Sequence, residues 1–531
     1  MPVNTGRVQK EFNVALQPTG AKQLDSVETL APAHLEIYNA VRTDAGFFKG
    51  RPGYTQAFDL GLGAGWSIPM LIPASRATTS FDGSGFAFAY NLGSASFRVF
   101  ELLNSGSVRE YTGPGTGVVQ SKVSWTIFDG IPIWQNYNFQ GLHRIRTDNL
   151  AGTNVYDKIA TAPTAYYFVD MVADRLVVSG GGSLPEQIRF EWSDPGSATV
   201  WPGAANRSQV TGAGESIRWM KVLGTDLYFF KDFSIEIWGH IGGREVFGRK
   251  GIIPLVDKFA RHRRLIGESV VLAGDPPRFF FYCDNDFWVL DGFAPRRISG
   301  AYKARCQTLS QTFINDAAYF GGAVPGFDYA KEHVIRWRVR GVGVFVYDYL
   351  NDVWTEDAAV NVLSDTMSAS IPAHGRSYME FGTKAYVTVG DPIISNGTDK
   401  VYEWTNTAYQ DAGSPFTVFR RLRFPLDPQQ NHRCRWNRLL LRGKRGRGAA
   451  SSNPQLTVRW WLDQDADSYT GATGAKGKVT LPLGETGDAD FYFPAITGLG
   501  VGRDVTLELE HAANVPHVLT HATIAAKPLG R

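Results

Sequence analysis

Between Asp170 and Trp238 the chain repeats one local pattern, and that pattern limits its fold more than any other feature of the 531 residues. Asp170-Met-Val-Ala-Asp-Arg-Leu-Val-Val-Ser-Gly, Ile188-Arg-Phe-Glu-Trp-Ser193 and the long run from Trp219 to Trp238 are rich in β-branched and aromatic residues, and each is closed by Gly, Asp, Ser or Pro. Short runs of this kind, bounded by turn formers, read as antiparallel strands joined by tight turns. The same cadence continues on both sides, from Trp66 to about Phe416. Within it, Asp129-Gly130 is a strong hairpin signal. Arg51-Pro52-Gly53-Tyr54 matches the preference of a type II turn. Several units end alike, with an apolar strand, an acidic turn and a closing Trp: Leu227 to Trp238, Val344 to Trp354 and Lys400 to Trp404. A recurrence of roughly 40 to 60 residues, with three or four strands per unit, predicts propeller blades.

The length argues for more than one core, since single cores stop growing at about 250–300 residues. Near Phe416 the texture changes. Val418 to Phe424 alternates apolar and basic residues, Pro425 and Pro428 follow, and the runs Gln455–Leu462, Val479–Leu483, Asp490–Phe493 and Val505–Glu510 read as a separate antiparallel sandwich. Aromatic residues at 13% and 57 glycines suit a fold of pleated surfaces and many turns. The expected fold is therefore all-β: an irregular β-propeller of about five to seven blades with a C-terminal β-sandwich-like domain. The expected division is an N-terminal arm with first strands over 1–45, a propeller over 46–415 and a C-terminal β domain over 416–531.

A net charge of +3 predicts no strong affinity of the whole molecule for nucleic acid. Cys283, Cys306 and Cys434 are far apart and odd in number, which favours neither a disulfide framework nor a zinc site and suits a reducing cytosol. The first residues lack the apolar stretch of a signal peptide, and no run approaches a membrane span. No nucleophile elbow, paired-histidine zinc motif, phosphate loop or dinucleotide fingerprint occurs, so the reading is of a protein that is not an enzyme and needs no cofactor. Most carboxylates are read as turn caps. Ser193-Asp194-Pro-Gly196-Ser-Ala-Thr199-Val-Trp201 partly resembles the Asp-box of sialidase-type propellers, with one residue too many before Trp201. That box is a structural turn, and it speaks for the fold alone.

Two basic clusters are the candidate binding residues. One is Arg261, Arg263 and Arg264; the other comprises Arg420, Arg421, Arg423, Arg433, Arg435, Arg438, Arg442, Lys444, Arg445 and Arg447. Clustered cations face either DNA phosphates or carboxylates on a neighbouring subunit.

Three stretches together resemble the tail hub or nozzle proteins of short-tailed bacteriophages, also called packaged-DNA stabilisation proteins. They are the N-terminal segment ending in Arg51-Pro52-Gly53, the pair Asp174–Gly180 and Ile188–Pro195 with Trp201, and the run from Ile217 to Trp238 with its Ser234-Ile-Glu236 before an aromatic. The likeness covers Arg51 to Trp238 best and is architectural beyond it. It implies a structural protein of the virion, assembled in the host cytoplasm as a hexameric ring below a tail adaptor ring. Tail fibres or spikes would attach around it, and double-stranded DNA would be retained in its channel and pass through at ejection. The rival expectation is a carbohydrate-binding or carbohydrate-cleaving propeller, which predicts carboxylates and aromatics clustered at one end of the propeller axis. A third is a kelch-like interaction scaffold, to which the Tyr347-Asp348 to Trp354 ending bears a loose likeness.

Overall fold

The computed structural model describes four N-terminal strands between residues 10 and 50 and most of the chain from 52 to 529, leaving aside chiefly 256–264, 301–325, 358–376, 389–398, 426–432, 446–454 and 464–474. The described residues are all-β, with short 3-10 turns such as Glu186–Ile188 as their helical elements. Seven four-stranded antiparallel units follow one another along the chain. Their first strands are Trp66–Pro73, Ser124–Phe128, Phe168–Val172, Ile217–Leu223, Ile266–Ala273, Gly326–Tyr329 and Tyr378–Phe381. We number these units blades 1 to 7. First strands of successive blades touch one another from blade 2 to blade 7, and that of blade 7 touches that of blade 1. Blades 1 and 2 share a core in which Phe88 meets Trp134 edge-on at 4.9 Å. The blades thus close a seven-bladed propeller, at the upper end of the expected range.

Blade 7 is completed from the far end of the propeller segment. Tyr378–Phe381, Lys384–Thr388 and Lys400–Thr405 are consecutive, and the outermost strand is Gly53–Asp59, paired antiparallel with Lys400–Thr405. A ring closed by one early strand and three late ones resists opening, because pulling the ends apart must break a strand pair. Gly53 opens that strand and is not among the glycines with positive φ, so the expected type II turn at Pro52-Gly53 does not form. Asp129-Gly130 does turn as expected, with φ of 49° and 72°, both left-handed as a two-residue hairpin requires.

The C-terminal sandwich is built from both ends of the chain. Its first sheet has Cys434–Arg445 and His517–Pro528 at the centre, joined by Asp490–Tyr492, Ile496–Gly502, Lys10–Ala15, Ala40–Arg42 and Phe48–Gly50. Its second sheet runs Ala33–Tyr38, Val418–Pro425, Asp504–His511, Gln455–Leu462, Gly477–Pro482. Leu422, Trp436, Leu439, Val458, Leu507 and Ile524 fill the space between them. The four N-terminal strands therefore belong to the sandwich sheets. This second sheet also continues into the propeller. Tyr38 pairs in parallel with Glu356 on the outermost strand of blade 6, Val353–Asp357, so one nine-stranded sheet spans both bodies. Cys283 and Cys434 are buried and take part in no disulfide; Cys306 lies outside the described residues.

Candidate functional site

The stretch from Asp170 to Trp238 forms blades 3 and 4, and its polar residues hold those blades together. Glu236 lies in the middle of the third strand of blade 4, Ser234–His240, and is fully buried. Its carboxylate accepts hydrogen bonds from the Thr211 backbone N–H at 2.9 Å, the Trp238 indole at 2.9 Å and the Lys231 ammonium at 3.1 Å. Lys231 is itself buried, and Glu215 lies 3.4 Å from it. Thr211 and Glu215 belong to the segment that crosses from blade 3 to blade 4, so this ion pair staples the crossing to the blade. A buried charge is tolerable only with such full satisfaction.

The same device recurs. In blade 3, Glu191 on the third strand Arg189–Trp192 accepts from the Tyr166 hydroxyl and from Arg207, both at 2.6 Å. In blade 1, Glu101 on Ser96–Leu103 accepts from Tyr111 at 3.0 Å and Arg109 at 3.3 Å. These acids sit inside strands, whereas the reading from sequence placed most carboxylates in turns. The clue was local: Phe-Glu-Trp and Ile-Glu-Ile-Trp put an acid where a half-buried strand wants an apolar residue. The Asp-box-like stretch is a loop between the third and fourth strands of blade 3. Asp194 N–H donates to Val200 O, the Gly196 N–H to Asp174 O at 2.7 Å, and the Trp201 indole to Ala198 O at 2.9 Å. It is a turn, as its likeness implied.

The basic candidates separate into groups. Arg261, Arg263, Arg264 and Arg447 lie outside the described residues, and for Arg420, Arg423, Lys444 and Arg445 only the strand backbone is described. Arg421 is buried within the chain. Its register partner on the next strand is Glu508, whose register partner on the strand beyond is Arg459. Glu508 is fully buried and accepts from Arg459 at 2.5 Å and from Arg421 at 3.3 Å. The Arg421 guanidinium is thus engaged inside the sandwich. Along Cys434–Arg445, Cys434, Trp436, Leu439 and Leu441 point into the core, leaving Arg433 and Arg435 exposed and Arg438 and Arg442 half-buried on the other side. Among the described side chains, the exposed members of the cluster are Arg433 and Arg435, on the outer face of the first sandwich sheet.

One cleft, of about 270 Å³, opens where blade 7 meets blade 1. Phe58, Tyr386 and Phe381 give it an aromatic lining, and Asn104, Thr383, Lys384 and Glu403 a polar one. Lys384 and Glu403 are paired at 3.0 Å. Among the described residues no three His, Cys, Asp or Glu side chains are grouped to hold a metal ion, and no helix is long and apolar enough to cross a membrane.

No family model and no curated protein matches the chain. Solved structures do. The extracellular domain of the putative one-component system BT4673 from B. thetaiotaomicron is 9% identical, with a TM-score of 0.41 over 76% of this chain and 56% of that one. Two structures of AztD from Citrobacter koseri are 10% identical, with TM-scores of 0.37 and 0.38 over 66% of this chain and 87% of theirs. The match thus spans little more than half the length of the BT4673 domain. At this distance nothing about activity or partners carries over.

Proposed function

We propose that this chain is a structural subunit of a short bacteriophage tail, a nozzle or hub protein without enzymatic activity. It acts as a closed ring of copies, six in the family it resembles, that retains the packaged DNA and conducts it at ejection. The observation that carries the reading is the fusion of propeller and sandwich through one nine-stranded sheet, with both chain ends tied into the sandwich. Backbone pairing that joins the two bodies suits a part that keeps its shape while DNA moves past it. The residues that carry the family likeness also fit: Glu191, Glu236 and Trp238 act in blade construction. Arg433 and Arg435 offer exposed charge for a polyanion or for an adjacent subunit. Electron cryomicroscopy of particles carrying this chain is the test. The reading expects a ring of copies at the distal end of a short tail, below an adaptor ring and beside fibres or spikes. Particles that lack the chain, or hold it away from the DNA path, overturn it.

The cleft between blades 7 and 1 favours a second reading, a carbohydrate-binding propeller, because an aromatic floor with a polar rim suits the apolar and hydroxylated faces of a sugar. Cleavage is less well served there, since Glu403 is the one carboxylate lining the cleft and Lys384 already holds it. Binding of host surface polysaccharide that is lost in Tyr386→Ala supports this reading, and absence of binding removes it.

A further inference from the structure

The seam between blades 6 and 7 gathers aromatic rings and charged groups in one place. Across it the rings of Tyr329 and Tyr378 stack at 3.9 Å, and Tyr329 meets Trp404 edge-on at 5.3 Å. The fully buried Arg336 lies over both Tyr329 and Trp404, at 4.2 and 4.7 Å, and is held by Glu332 at 2.8 Å and Asp357 at 3.0 Å. The Trp404 indole donates to the other oxygen of Glu332. Each of these charged groups has a partner of opposite charge.

Two carboxyl groups at the same seam are not matched in this way. Asp328 is on the first strand of blade 6 and Glu380 on the first strand of blade 7, and these strands face each other. Glu380 accepts hydrogen bonds from the Tyr378 hydroxyl and from the Lys331 N–H at 3.1 Å. Asp328 has one side-chain partner, the hydroxyl of Tyr349. Its Oδ1 is shut off from solvent and accepts no hydrogen bond from the described residues. Among the described residues, the other charged and titratable groups around the pair are Asp348, which acts on Tyr349, His333, whose ring meets Tyr349 at 6.0 Å, Lys331, whose ammonium donates to the Lys384 carbonyl, Arg278, which lies over Phe280, and Glu332 with Arg336, which are paired with each other. None of them supplies a cation to Asp328.

We propose that the seam between blades 6 and 7 is a proton-operated latch, closed while Asp328 carries a proton and loosened when it ionises across the seam from Glu380. Two like charges on facing strands, one with a desolvated oxygen, repel across the seam; a proton removes the repulsion. Burial first, and the charge of Glu380 second, push the Asp328 acid up to about 7, against the hydrogen bond from Tyr349. The folded chain thus holds this proton more tightly than the unfolded one, whose aspartates titrate near 3.9. The stabilisation is complete below about pH 4 and is lost as the pH rises through about 7. Because blade 7 is the blade that closes the ring, loosening this seam loosens the closure itself.

The test is the melting temperature of the full chain and of Asp328→Asn from pH 5 to pH 8.5, read as the difference between the two at each pH. The latch predicts that the variant gains on the wild type as pH rises from 5, that the gain levels off once the pH passes about 7, and that the variant melts higher than the wild type at pH 8.5. If Asp328→Asn does not fold, Glu380→Gln serves: it removes the facing charge that helps to raise Asp328, so the loss should end at lower pH and shrink. Hydrogen-exchange protection of Gly326–Tyr329 and Tyr378–Phe381 should fall at pH 8.5 relative to pH 5.5 in the wild type, and not in the variant. A difference that stays constant across the range, or protection of these strands unchanged with pH, overturns the proposal.

Discussion

At the scale of single residues, the acids of the most recognisable motif of the chain are engaged in holding its blades together. Glu236 is fully buried, and its partners are the backbone of the blade crossing, an indole and a buried ammonium. Glu236→Ala leaves Lys231 without its nearest counter-charge, and breaking a buried pair in this way costs about 3–5 kcal/mol. Urea unfolding should show that loss, and Glu236→Ala with Lys231→Met should recover part of it. His143 makes a second residue-scale prediction. Its ring is buried in blade 2, stacked 5.8 Å from Trp134, and its Nδ1 accepts no hydrogen bond from the described residues. Burial, as the largest cause, pushes it down to about 4. The unfolded chain, with histidine near 6.5, then binds the proton more readily, so stability falls as pH drops from about 6.5 to about 4. His143→Phe should flatten the acid limb of a melting-temperature profile over that window. An unchanged limb would show that another group controls it.

At the scale of elements, Asp129-Gly130 and the runs around Asp174 and Trp219 were legible because turn chemistry and alternation are local. The exact repeat was not. The shared Trp ending occupies the third strand in blades 4 and 7, at Trp238 and Trp404, but the fourth strand in blade 6, at Trp354. A signature that changes strand cannot reveal a fixed period. The closing strand Gly53–Asp59 was equally hidden, since its partner Lys400–Thr405 is more than three hundred residues away and nothing local announces the pairing. The basic segment misled in a similar way: Arg421 reads as a surface charge until Glu508 is placed beside it. Contacts between elements also decide where small residues are required. A Cβ on Gly267, in the first strand of blade 5, would lie 2.0 Å from the Arg218 carbonyl oxygen in the first strand of blade 4. Gly267→Ala should therefore push these inner strands apart and cost about 1–3 kcal/mol, the range for overpacking a tight site. A variant as stable as the wild type in urea would contradict so close an approach.

At the scale of the whole molecule, two bodies are joined by backbone pairing as well as by chain. Blade 6, the strand Ala33–Tyr38 and the second sandwich sheet form one hydrogen-bonded surface. The closing blade of the propeller lies next to blade 6, so the ring closure and the junction with the sandwich are neighbours. On the function proposed here, several copies of such a subunit enclose the path of the DNA. The most direct test is the mass of the purified full-length protein in solution, taken together with class averages of the same sample by electron microscopy. The account predicts a closed ring of copies, six by the family likeness, with a central opening that admits duplex DNA. A monomer that persists at micromolar concentration would contradict it.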